Sequence, residues 1–174
     1  PEYVVFEGPG MDAFAESPEW GCTFVVLPFM YYETYGDDSL IRKYYNGMRR
    51  YIDYMTTRAN DGIVSFGLGD WYDYGDFRAG FSRNTPVPLV ATAHYYMVVR
   101  YLVEAARMLD NRYDVAYYTH LGEEINKAFH REFYHKDTRQ YGTGSQCSNA
   151  LPLFLGMVPA DDRQAVLDNL VADI

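Results

Sequence analysis

Two kinds of helical segment alternate along this chain of 174 residues. Three segments are apolar on every side, at residues 18–36, 87–109 and 146–156. Three others carry charged residues on one face, at residues 38–58, 114–134 and 162–174. A helix that is apolar all round is buried, whereas a helix with a charged face borders solvent. The alternation predicts an all-α fold of three antiparallel helical hairpins, with inner and outer helices forming part of an (α/α)6 toroid.

The segments that precede the three inner helices carry the most distinctive residues. We call them the rim segments and define them as residues 16–21, 60–86 and 141–146. They are rich in glycine, aromatic rings and carboxylates. Because chain direction alternates from helix to helix, all three are predicted to lie at one end of the hairpins, the rim. We therefore expect function at the rim.

Composition narrows the function classes. Hydrophobic residues make up 48% of the chain and charged residues 22%, which indicates a folded domain rather than disorder. The net charge of −9 argues against nucleic acid and against an anionic membrane surface, since both attract clustered Lys and Arg. The longest uncharged apolar run, residues 22–32, is too short to span a bilayer. Eighteen tyrosines provide flat apolar faces with a polar group, which suit sugars but also fill large helical cores.

The second rim segment carries the strongest chemical signal. Its stretch 66–77 contains five aromatic residues, one of which is Trp71, and several carboxylates, one of which is Asp70. An aromatic ring stacks on the apolar face of a pyranose, while a carboxylate accepts hydrogen bonds from adjacent hydroxyls. The alternative is a loop packed by its own aromatic residues, with Asp70 capping a local turn.

The other two rim segments offer weaker signals. Trp20 lies in the first turn of an inner helix, where it either faces the rim or packs into the core. Glu19 is explained by the favourable effect of a negative charge at a helix start, although an acid at a rim is also a catalytic candidate. Gln146 is expected to cap its helix rather than to reach a ligand.

Several familiar sites are not supported by the sequence. The four histidines, at positions 94, 120, 130 and 135, lack a metal-ligand spacing with Cys, Asp or Glu. The chain has no Gly-x-Ser-x-Gly motif, which argues against a serine hydrolase. Cys22 and Cys147 both lie in apolar helices, so two buried free thiols are expected rather than a disulfide.

An ordered set of short motifs resembles the middle of the catalytic domain of α-L-rhamnosidases, glycoside hydrolase family 78. The motifs are Ser-Pro-Glu-Trp-Gly at 17–21, Gly-Asp-Trp at 69–71, Thr-Pro at 85–86, Ala-Thr-Ala-His-Tyr-Tyr at 91–96, Ser-Gln at 145–146, Asn-Ala-Leu at 149–151 and Gly-Met-Val-Pro at 156–159. The resemblance implies an (α/α)6 toroid, in agreement with the hairpins.

The resemblance also implies a function and a site. Trp20 and Trp71 match tryptophans of the family's rhamnose pocket, and Asp70 is their polar neighbour; these three are the expected substrate-binding residues. The family is similar to inverting glycosidases, in which one Glu is the general acid and another activates water. The family's acid motif does not occur here, so no catalytic carboxylate is expected in this chain. The scheme needs no metal or cofactor, and the resemblance favours a periplasmic or secreted location.

Two further expectations concern the extent of the domain. A toroid of six hairpins needs about twice this length, so residues 1–174 are expected to be part of a longer catalytic domain, with an apolar side that favours self-association. A small independent helical bundle is the alternative. For function, the alternatives are another toroid glycosidase, a lyase or sugar epimerase, and a non-catalytic carbohydrate-binding or scaffold module.

Overall fold

Helices account for most of the residues that the computed structural model describes, which are 16–80 and 82–173. The predicted domain over residues 1–174 and the predicted helix over 162–174 extend beyond the described residues. Within these ranges, no helix is long and apolar enough to cross a membrane.

The first hairpin consists of α1 (Pro18–Gly21), α2 (Thr23–Tyr35) and α3 (Ser39–Arg58). The sequence predicted a single helix over 18–36, but the helix is interrupted at Cys22. Pro18 occupies the first helical position, where its missing N–H costs nothing. Gly36 ends α2 in the left-handed conformation, with φ of 69°, as expected of a glycine at that position.

The second hairpin pairs α4 (Val87–Met108) with α5 (Arg112–Phe133), and the third pairs α6 (Gln146–Phe154) with α7 (Arg163–Ala172). Polar side chains cap two of these helices. Asn111 accepts a hydrogen bond from the backbone N–H of Asp114, at 3.1 Å. Ser145, not Gln146, caps α6 by accepting the N–H of Ser148 at 3.3 Å. Gln146 was therefore wrongly predicted as a cap; its amide donates to the backbone carbonyl of Asp173.

Short strands occur only in the connections, within the described part of the chain. The antiparallel pair β1 (Asp73–Gly75) and β2 (Phe77–Gly80) lies within residues 60–86, where little regular structure was predicted. A second antiparallel pair, β3 (Tyr134–His135) and β4 (Gln140–Tyr141), connects α5 to α6. These small ribbons leave the all-α class unchanged.

Helix α4 lies at the centre of the molecule and takes part in two hydrophobic clusters. One face packs with α2, α3 and α5 through residues such as Tyr95 and Leu102. Another face, including Leu89 and Ala93, packs with residues of α5, α6 and α7. Because both sides of α4 are covered, its sequence needs no polar face.

Helix α2 is also apolar, but it lies at one edge. Only Val25, Pro28 and Phe29 are buried along it. Four large side chains remain exposed by 45–71%: Phe24, Leu27, Met30 and Tyr35. An inner helix of a toroid has a neighbour on both sides, and here one side has none among the described residues.

The short connections between paired helices force each pair to run antiparallel. Residues 36–38 and 109–111 join α2 to α3 and α4 to α5 at what we call the opposite end, and residues 155–162 join α6 to α7. The three rim segments consequently lie at the other end. The predicted arrangement of antiparallel hairpins is confirmed.

Candidate functional site at the rim

Hydrogen bonds join the three rim segments, which the sequence predicted to lie at one end of the hairpins. The Glu19 carboxylate of the first segment accepts the backbone N–H groups of Leu68 (3.2 Å) and Gly69 (2.8 Å) in the second. The second segment is joined to the third through the hydroxyls of Thr85 and Ser145, which lie 2.8 Å apart. The rim is therefore one connected surface.

Both predicted tryptophans lie on this surface. Trp20 follows Glu19 directly, and Trp71 lies two residues beyond Gly69, so the Glu19–Gly69 hydrogen bond connects their segments. The side chain of Trp20 is 45% exposed and that of Trp71 is 37% exposed. Neither indole is sealed in the core, so each can offer part of its face to a ligand.

Asp70 is half-buried and directly precedes Trp71 in the second rim segment. Its carboxylate accepts the hydroxyl of Thr85 at 3.3 Å. Thr85 is 1% exposed and also contacts the hydroxyl of Ser145. The Cys147 thiol is a second hydrogen-bond partner of Asp70. A carboxylate accepts about four hydrogen bonds, so Asp70 can accept further donors beside these two.

A polar cleft opens beside Asp70. Its volume is about 570 Å³, within the range of small-molecule sites. The second and third rim segments form its walls, and Asp70, Asp73, Asn84, Thr85 and Ser145 are among the lining residues. Polar lining of this kind suits a hydroxyl-rich ligand better than an apolar one.

Two carboxylates at the rim serve backbone conformation, and sequence reasoning missed both functions. Asp73 is only 7% exposed and accepts the N–H groups of Arg83 (2.8 Å) and Asn84 (2.6 Å), together with the Asn84 side-chain amide (2.7 Å). Glu19 holds the 68–69 backbone. Each of these hydrogen bonds joins residues ten or more positions apart, so no local sequence pattern predicts it.

Both cysteines are free thiols, as the sequence predicted; Cys22 is buried as expected, whereas Cys147 is only half-buried. Burial, reinforced by the negative charge of Glu19, raises the pKa of the Cys22 thiol to about 11. Burial and the nearby Asp70 carboxylate raise the pKa of Cys147 to about 12. Both groups are neutral at physiological pH and are therefore poor nucleophiles.

With this geometry established, the chain can be compared with known proteins. The family model described as bacterial alpha-L-rhamnosidase 6 hairpin glycosidase domain matches residues 1–174. The chain belongs to this family. The resemblance seen in the short motifs is thereby confirmed, together with the partial (α/α)6 toroid.

Individual relatives agree with the family assignment. An alpha-L-rhamnosidase of Formosa agariphila is 28% identical over 165 residues, which cover 90% of this chain and 17% of that protein. The alpha-L-rhamnosidase structure from Dictyoglumus thermophilum matches with a TM-score of 0.86 and 29% identity, covering 100% of this chain and 19% of that one.

A third relative was solved with a sugar. The Streptomyces avermitilis alpha-L-rhamnosidase complexed with L-rhamnose matches with a TM-score of 0.76 and 27% identity, over 86% of this chain and 14% of that one. The chain thus spans less than a fifth of the length of each of these relatives.

No metal centre is formed within residues 16–80 and 82–173, where no three His, Cys, Asp or Glu side chains are grouped to hold an ion. The rim of this alpha-L-rhamnosidase family domain instead offers two accessible indoles, one half-buried carboxylate with free acceptor capacity, and a polar cleft. The carboxylates of Asp70 and Asp73 both line this cleft.

Proposed function

We propose that this chain is part of a glycoside hydrolase that releases terminal α-L-rhamnosyl residues, and that its rim forms one wall of the sugar site. The observation that carries the proposal is the junction of the rim segments, which brings the segments of Trp20 and Trp71 together with both indoles accessible. Membership of the family and the names of the relatives support the reaction and the substrate class.

In this proposal the three predicted residues make two kinds of contact with the sugar. Trp20 and Trp71 stack on the apolar faces of the rhamnosyl ring and its methyl group. Asp70 accepts hydrogen bonds from ring hydroxyls through the oxygen sites that Thr85 and Cys147 do not use. The hydrogen bond from Thr85 orients this carboxylate before the sugar arrives.

The proposed reaction is a single displacement with inversion. A protonated carboxyl donates its proton to the leaving oxygen while a carboxylate removes a proton from the attacking water, and the two groups lie about 6.5–9.5 Å apart. We place both carboxylates outside this chain. The wall described here orients the sugar and excludes water, and this desolvation raises the pKa of the acid.

The test of the proposal is Trp71→Ala in the intact enzyme, assayed on an aryl α-L-rhamnoside. Loss of a stacking surface is expected to lower kcat/KM by about 10- to 100-fold. Tyr113→Ala is the matched control, because Tyr113 is an exposed aromatic residue on outer helix α5, at the opposite end. Unchanged kinetics for Trp71→Ala would remove this wall from the sugar site.

A panel of aryl glycosides distinguishes the proposed activity from other toroid enzymes. The rhamnoside is expected to be the best substrate. Cleavage of a different glycoside, or an eliminative or epimerising product, would place the protein in one of the alternative classes. Binding of rhamnose without hydrolysis by the intact protein would favour a carbohydrate-binding module.

We also propose that the 174-residue chain on its own self-associates through α2. The exposed face of Phe24, Leu27 and Met30 is apolar, and contiguous apolar surface of this kind marks an interaction site or an aggregation site. In the toroid this face is the natural place for a neighbouring helix.

A further inference from the structure

One carboxylate at the rim belongs to neither the proposed sugar contacts nor the helix packing. Glu19 accepts hydrogen bonds from two consecutive backbone N–H groups, those of Leu68 and Gly69, 49 and 50 residues further along the chain. It also accepts the hydroxyl of Ser17. Hydrogen bonds to an ionised acceptor are about twice as strong as neutral ones, so this contact is a firm attachment.

The loop that Glu19 holds adopts a backbone conformation that is specific to glycine. Gly67 has φ of 141° and Gly69 has φ of 68°, both in the region that L side chains rarely adopt. Gly67 also passes close to α1, since a Cβ there would lie 2.7 Å from a Glu19 carboxylate oxygen and 3.0 Å from Pro18. A side chain at position 67 would therefore collide with the Glu19 carboxylate.

Sequence neighbours make this attachment significant for binding. Glu19 is directly followed by Trp20, and Gly69 is directly followed by Asp70 and Trp71. Leu68, whose side chain is 2% exposed, anchors the same loop in the core. The Glu19 hydrogen bonds thus connect the two tryptophans through a path of only a few residues.

We propose that Glu19 is a positioning residue, which holds Trp20 and the Asp70–Trp71 pair at a fixed separation so that the sugar wall is formed before the sugar binds. The proposal rests on the proposed function, because it assumes that these residues contact the substrate. Pre-formed sites bind more tightly because less ordering is required at the moment of binding.

The test is Glu19→Gln in the intact enzyme, with KM, kcat and the Kd for L-rhamnose measured together. The amide keeps the size of the carboxylate but replaces one acceptor oxygen by a donor. Either the Gly69 N–H, which donates to Oε1, or the Leu68 N–H and Ser17 hydroxyl, which both donate to Oε2, then lose their acceptor. We expect KM and Kd to rise by about tenfold, with kcat within about twofold of wild type. Glu124→Gln, on the exposed face of α5, is the matched control and is expected to leave KM, Kd and kcat unchanged.

Two additional variants keep the test decisive. Ser17→Ala removes the third donor but leaves both loop hydrogen bonds, so KM is expected to stay within about twofold of wild type. Glu19→Asp retains the charge on a side chain one methylene shorter, and it replaces Glu19→Gln should that variant not fold. Its KM is expected to rise in the same direction.

The outcomes separate this proposal from the proposed function. If Trp71→Ala lowers rhamnoside turnover while both Glu19 variants keep a wild-type KM and Kd, the positioning function of Glu19 is wrong and the sugar wall stands. If Trp71→Ala has no effect on rhamnoside turnover, the proposed sugar wall is wrong, and so is the positioning function of Glu19 that depends on it. A loss in kcat alone would also overturn the positioning proposal.

Discussion

The rim and the opposite end each contain a nearly buried aspartate, and the two are used differently. Asp114, at the opposite end, is 2% exposed and accepts the Tyr45 hydroxyl at 2.6 Å, with Arg49 at 3.2 Å. Tyr45 and Arg49 both lie on α3, so Asp114 joins two outer helices. It also accepts the side-chain amide of Asn111 at 2.8 Å. Asp73, at the rim, accepts backbone N–H groups of a connecting loop, at Arg83 and Asn84.

The two aspartates therefore stabilise different kinds of structure, helices at the opposite end and loops at the rim. Asp114 at the opposite end connects α5 to α3, two helices that also pack in the same hydrophobic cluster. Carboxylates at the rim determine the course of loops that apolar packing alone leaves undetermined, and those loops line the cleft. Substitutions at the two ends are therefore expected to have opposite balances of lost stability and lost binding.

The largest effect on stability is expected from Asp114→Ala. It leaves the buried Tyr45 hydroxyl and the Asn111 amide without their acceptor and the Arg49 guanidinium without its ion pair, so we expect a loss of about 3 kcal/mol in the free energy of unfolding. Chemical denaturation of the helical domain measures it. Tyr45→Phe, which removes one hydrogen bond, is expected to cost about 1 kcal/mol.

The corresponding substitution at the rim is Asp73→Ala. It is expected to lower kcat/KM on a rhamnoside more than Asp114→Ala does, when both are measured at a temperature where each variant is folded. If Asp114→Ala lowers kcat/KM of the folded enzyme more than Asp73→Ala does, the proposed difference between the two ends is wrong.

A smaller effect concerns the edge of the molecule rather than its ends. The isolated 174-residue chain is expected to sediment as dimers or larger species, because the α2 face is uncovered. Leu27→Lys with Met30→Lys places two charges on this face and is expected to shift the distribution toward monomer. A monodisperse, cooperatively unfolding wild-type monomer would contradict this and would favour an independent bundle.

The sequence allowed the architecture to be predicted because the relevant signals are local. The apolar and half-charged helices could be distinguished by periodicity, and their alternation predicted which segments meet at the rim. Their limits were less certain: the predicted helix over 18–36 divides at Cys22, and α5 begins at Arg112 rather than near Asp114. Helix ends depend on capping contacts that propensity describes poorly.

The rim could be predicted only in part, because its hydrogen bonds are long-range. Trp20, Asp70 and Trp71 were identified as a group, and their place in the sugar site stays a prediction. The structural tasks of Glu19 and Asp73 were missed, since Glu19 was explained by its own helix and Asp73 by nothing local. The β1–β2 ribbon was missed as well, because its strands are three and four residues long.

The most direct measurement is a crystal structure of the intact enzyme with L-rhamnose bound. The account predicts that the sugar lies at the rim, with its apolar surface against the indole of Trp20 or Trp71 and a hydroxyl within hydrogen-bonding distance of Asp70. A rhamnose ring bound elsewhere, with both indoles and Asp70 free of contact, would contradict it.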